Sequence, residues 1–120
     1  MNKVVLSIRG KKVVARLGIG FVELAIKKDR PENNDVSNLG INRLIGRSIE
    51  FAAEISGEEN PIPMGDLYDW IDEVGIHSDE YKAVVSSFEK AFVDSMQNHI
   101  EQEEKPVKKL PVKKKATKNG

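Results

Sequence analysis

Two histidines, His77 and His99, and the acids Asp66, Asp69, Asp72 and Glu73 are the side chains from which acid–base chemistry or a metal site would have to be built. Their spacing argues against both. His77 falls just ahead of Ser78, a helix-capping type, and His99 lies near the end of an apolar-periodic segment, where a histidine stabilises the helix dipole. The four acids recur around a helix on the side away from Leu67 and Trp70, which is a solvated face and not the alternating ligand pattern of a calcium loop. Gly18-Ile19-Gly20 is followed by Phe21-Val22-Glu23 and lacks the third glycine of a phosphate loop, so a turn between two elements accounts for it better. There is no GxSxG elbow and no HExxH pair. Without cysteine, disulfides, thiolate zinc sites and iron–sulfur clusters are excluded. The expectation is a protein with no catalytic residue, no cofactor and no metal.

Length allows one domain. Of the 120 residues, the last 16, from Lys105, read KPVKKLPVKKKATKNG, with seven lysines and no acid. Such a segment buries too little apolar surface to fold and is expected to be a disordered basic tail, 105–120, leaving 1–104 as the folded domain. The chain as a whole is neutral, with 19 basic and 19 acidic residues, so removing the +7 tail leaves a body of −7. No apolar run approaches the roughly 18 to 20 residues of a membrane helix, and the N-terminus lacks the pattern of a signal peptide. A soluble, intracellular protein without membrane contact is expected.

The elements that must position any site follow from periodicity. In residues 3–17, two β-branched runs flank Arg9-Gly10-Lys11-Lys12. Val4, Leu6 and Ile8 alternate opposite Val13, Ala15 and Leu17, a hairpin whose outer face is made basic by Lys3, Arg9, Lys11, Lys12 and Arg16. Phe21, Leu24, Ala25 and Lys28 space a helix over about 20–29, ended by Pro31. A polar stretch offers Asn34, Asp35 or Ser37 as a cap for a helix over about 37–56 that Gly57 ends. Gly40 and Gly46 inside it predict either close helix packing or a break. Leu67, Trp70, Ile71 and Val74 form one stripe of a helix over 64–74, and Ser78 caps a last helix over 78–102 carrying Tyr81, Val84, Val85, Phe88, Phe92, Met96 and Ile100. The fold class is α+β, predominantly helical, with an N-terminal hairpin followed by about four helices.

Charge is polarised along the chain. Residues 1–16 hold five basic side chains and no acid, whereas 48–81 hold ten acids and no base. Two readings stay open: pairing within one monomer, or head-to-tail association in which Lys11 and Lys12 of one copy meet Asp66, Asp69, Asp72 and Glu73 of the next. The lysine tail alternatively marks a small nucleic-acid-associated or regulatory protein. Without arginine or interleaved aromatics it would bind only nonspecifically and with strong salt dependence.

The segment KVVLSIRGKKVVARLGIGFVELAIKKD, followed by a polar connector, a long helix with small residues, a DLYDWIDEVG helix and a lysine-rich end, resembles the tail assembly chaperones of long-tailed (siphovirus) bacteriophages of Gram-positive hosts. The resemblance spans about residues 3–104 and rests on element order and short motifs. It implies a non-enzymatic virion-assembly chaperone that coats the long helical tape measure protein, keeps it soluble and supports polymerisation of the tail tube. It further implies a homo-oligomer or spiral, and a frameshifted longer form that recruits the tail tube protein; Lys113-Lys114-Lys115 is the kind of place where a slippery codon run sits. The protein would act in the host cytoplasm and be missing from the mature virion. Phe21, Leu67, Tyr68, Trp70 and Ile71 are then the candidates for partner contact, with core packing the competing reading for Trp70.

Overall fold

The computed structural model describes the backbone of residues 2–104 and the side-chain surroundings of 2–97; the basic tail, and the side chains of His99 and Ile100, lie outside the described residues. Strands β1 (Lys3–Ile8) and β2 (Lys11–Arg16) pair antiparallel, Ile8 opposite Lys11 and Lys3 opposite Arg16. Their turn is only Arg9-Gly10, both at positive φ (57° and 75°), the two-residue geometry whose twist matches that of the flanking strands. That shortens the expected turn and moves Lys11 and Lys12 into β2. Alternation then places Lys12 on the outer face beside Ser7 and Lys11 on the side of Ile8. The outer face is therefore not uniformly basic: its centre is the Val5–Val14 pair, 54% and 43% exposed. The inner face buries Leu6, Ile8, Val13 and Ala15 against the helices, as the alternation predicts.

Gly18 at φ 100° turns the chain into α1 (Ile19–Asp29), which buries Phe21 and Ala25. Lys27 and Lys28 occupy its last turn, where the dipole favours them, and left-handed Arg30 followed by extended Pro31 ends it. Next come two 3-10 turns, Glu32–Asn34 and Val36–Asn38. Asp35 caps the second: the Ser37 hydroxyl and N–H donate to its carboxylate at 2.8 and 3.0 Å, in that order holding its pKa below the ordinary value. Here the expected helix over 37–56 is corrected. The 3-10 turn closes with Leu39 N–H donating to Val36 C=O, Leu39 and Gly40 are extended, and α2 begins only at Ile41 (Ile41–Ser56). Gly40 is thus the residue before the helix and marks the break, whereas Gly46 marks close packing. A Cβ on Gly46 would run into the Met64 thioether and touch Leu67.

Gly57, left-handed at φ 72°, ends α2 with Glu58 N–H donating to Ala53 C=O at 3.0 Å, the Schellman closure. Helix α3 (Met64–Val74) buries Leu67, Trp70 and Ile71 and stops at Gly75. Ser78 then caps α4 (Asp79–Glu104), its hydroxyl accepting from Tyr81 N–H at 3.1 Å. The hairpin lies across α2 and α4, and α1 and α3 flank α2. At the centre Trp70 packs on Tyr81 with ring centroids 6.3 Å apart, while Phe21, Phe88 and Phe92 form a second aromatic group.

Candidate interaction surfaces

Among the described residues no group of three or more His, Cys, Asp or Glu side chains is placed to hold a metal ion. His77 is exposed, and Asp66, Asp69, Asp72 and Glu73 are exposed on the outer side of α3, the solvated face that the helical spacing predicts. The surfaces described next are those that offer contact.

Of the five expected contact residues, four belong to the core. Phe21, Leu67 and Trp70 are each 1% exposed and Ile71 5%, so they offer no surface to a partner in this conformation. The reason is geometric: α3 turns its only apolar stripe onto α2 and α4, and α1 turns Phe21 towards Phe92. Tyr68 alone is half-buried, with the Arg43 guanidinium 5.7 Å above its ring. Among the described residues the large apolar side chains that are exposed are others, Val5, Val14, Ile19, Ile55, Ile76 and Val93.

Two grooves border the hairpin. One, of about 360 Å³, runs between β2 and the C-terminal part of α2, with Val14, Ala52 and Ile55 apolar, Lys12 and Arg16 basic on one bank, and Glu58 and Glu59 acidic on the other. The second, of about 240 Å³, separates β1 from α4. At the hairpin tip Arg9 lies 3.8 Å from Glu73, both exposed, so the basic and acidic regions of one chain meet at this point. The pairing within one monomer that the sequence left open is realised there, and an exposed pair of this kind adds little stability.

A charged cluster that the sequence reading did not single out joins α1 to α2. Arg47 donates twice to Asp29, Nε to Oδ2 at 2.8 Å and Nη2 to Oδ1 at 2.9 Å, and Nη1 donates to Glu50 at 2.7 Å. Lys28 completes it at 2.9 Å from Glu50, and Arg43 stands 3.8 Å from Asp29. The bond to Asp29 holds the Arg47 guanidinium charged against burial, which works the other way. Burial pushes the Glu50 carboxyl up, but the hydrogen bonds from Lys28 and Arg47 together prevail and leave it below its ordinary value. Asp29 sits at the C-terminal end of a helix, where a carboxylate is disfavoured, and the two arginines offset that cost. With its charges paired, the cluster clamps helices together and has no free group for chemistry. Only Arg47 and Glu50, three apart, could have signalled it in sequence.

Comparison with protein-family models, with curated proteins and with solved structures finds no match to this chain. No helix among the described residues is long and apolar enough to cross a membrane.

Proposed function

We propose that this chain is a tail assembly chaperone of a long-tailed bacteriophage, a non-enzymatic binding protein whose client is the tape measure protein. The observation that carries the reading is the element order: the segment on which the resemblance rests folds as hairpin, glycine junction and helix, and three further helices follow in the expected sequence. Client contact is reassigned from the core residues to the groove beside β2, where Val14 and Ile55 stand exposed between basic and acidic banks. An amphipathic helix with mixed charge suits such a groove. Head-to-tail association through Lys12 and the α3 acids would array many copies along a long client, and a frameshifted longer product would bring in the tail tube protein. The setting is the host cytoplasm during assembly.

Co-expression with the tape measure protein is the test. The client is expected in the soluble fraction only when the chain is present, and Val14→Asp with Ile55→Asp is expected to abolish this without changing the far-ultraviolet circular dichroism spectrum. A client equally insoluble in both cultures refutes the reading. Salt-sensitive retention of nucleic acid in its place would point to the lysine tail as the functional element.

A further inference from the structure

Both edges of the two-stranded sheet carry unused hydrogen-bonding groups. Leu17 N–H donates to Asn2 C=O at 2.6 Å, so the Asn2–Leu17 pair is a hydrogen-bonded one. The alternation of an antiparallel ladder then makes Val4–Ala15, Leu6–Val13 and Ile8–Lys11 hydrogen-bonded pairs as well. It follows that the backbone N–H and C=O of Lys3, Val5 and Ser7 point away from β2, and those of Lys12, Val14 and Arg16 away from β1. Among the described residues these groups have no backbone partner.

The two edges differ in what they would accept. A second copy pairing antiparallel about Val14 would set Lys12 against Arg16 of the second copy, twice over, and like charges directly opposite are repulsive. Such a doubly basic edge is one that proteins use to prevent pairing. Pairing about Val5 sets Lys3 against Ser7, with no like-charge contact, and lays the 54% exposed Val5 against its counterpart. The groove of about 240 Å³ along this edge has α4 as its far wall, where Ala83 and Ser87 are short and exposed. The antiparallel register sets Lys3 of the second copy beside Ser7 on the outer face of the sheet, away from the helices.

We propose that a second copy of this chain docks on the free edge of β1, antiparallel about Val5, so that two hairpins form one four-stranded sheet with Lys3 of each copy beside Ser7 of the other. The contact is self-complementary and closes on itself, unlike the head-to-tail association above. It stands whether or not the client is a tape measure protein.

Sedimentation velocity of the full chain over a wide concentration range tests it. Wild type is expected to be dimeric. Val5→Pro deletes an N–H offered only to the second copy, because Val5–Val14 is a non-hydrogen-bonded pair, and is expected to be monomeric. Val14→Pro makes the matching change on the other edge and is expected to leave the dimer intact. Ser7→Lys sets a lysine against Lys3 of the other copy twice over and is expected to weaken dimerisation about tenfold, and adding Lys3→Glu to restore it. Should either proline variant unfold, the Ser7→Lys variant and its Lys3→Glu rescue decide. A wild type that is monomeric throughout, dissociation by Val14→Pro but not by Val5→Pro, or a Ser7→Lys, Lys3→Glu double variant that stays weak overturns the proposal.

Discussion

Replacing Trp70 by alanine separates a core role from a contact role, because the two assign the same side chain to different free energies. The indole is 1% exposed and packs against Tyr81, within a cluster that joins α3 to α2 and α4. A buried tryptophan removes about 150 to 250 Å² from water, and its truncation to alanine costs about 3 to 5 kcal/mol once the cavity is included. A domain of this size has a total stability of about 5 to 15 kcal/mol, so Trp70→Ala takes away a third or more of it in most of that range. At about 4 to 8 °C per kcal/mol the melting temperature falls by at least about 12 °C. Urea unfolding followed by circular dichroism reads the change as a lowered midpoint with an unchanged slope. Tyr68→Ala, at a half-buried site, is the internal comparison and is expected to cost about 1 kcal/mol. Trp70 is the only tryptophan in the chain, so its wild-type emission is expected to be blue-shifted when folded and to shift red in the same transition. A Trp70→Ala variant with an unchanged midpoint and impaired client binding would refute the reasoning and return Trp70 to the surface.

Arg47→Met leaves the Asp29 and Glu50 carboxylates without their shared donor and is expected to cost about 3 kcal/mol in urea unfolding, the lower end of the range for breaking a buried pair because the site is partly wetted. The Glu50 carboxyl binds its proton less readily folded than unfolded, so wild-type stability is expected to fall as pH drops from about 4.5 through the lowered folded-state value, and Arg47→Met to flatten that fall. Gly20→Ala drives a Cβ into the Phe51 ring and is expected to destabilise by about 1 to 3 kcal/mol, with Phe51→Leu restoring part of the loss; Gly46→Ala meets only the flexible end of Met64 and is expected to be close to neutral. Raising salt is expected to dissolve assemblies held by Lys12 and the α3 acids while leaving a β1-edge dimer in place, as light scattering would record, because exposed charges are screened over about 8 Å at physiological ionic strength.

What neighbouring residues dictate was legible without the fold. The alternation of Val4, Leu6 and Ile8 predicts which face of the hairpin is buried, and the Leu67, Trp70, Ile71 stripe predicts which face of α3 is buried. Ser78, Gly57 and Gly75 place their helix ends because each satisfies backbone groups within a few residues of itself. Where two local signals compete, the sequence was ambiguous: Asp35 could cap a long helix or a 3-10 turn, and the turn it forms exposes the break at Gly40.

Decisions that join distant segments belong to the tertiary structure. Asp29 and Arg47 are 18 residues apart, and nothing in the spacing of either helix says that the end of α1 meets the middle of α2. Gly20 comes against Phe51, and Gly46 against Met64 and Leu67, only once the helices cross at those points. The meeting of Arg9 and Glu73, and the open edge of β1 beside α4, depend likewise on how the hairpin is laid over the helices. The contact residues show the limit most plainly: Phe21 and Trp70 are aromatic and apolar at either a core or an interface, so sequence determined that they must be desolvated. Packing decided by what, because a stripe on one helix is satisfied by whichever apolar surface the chain brings against it first.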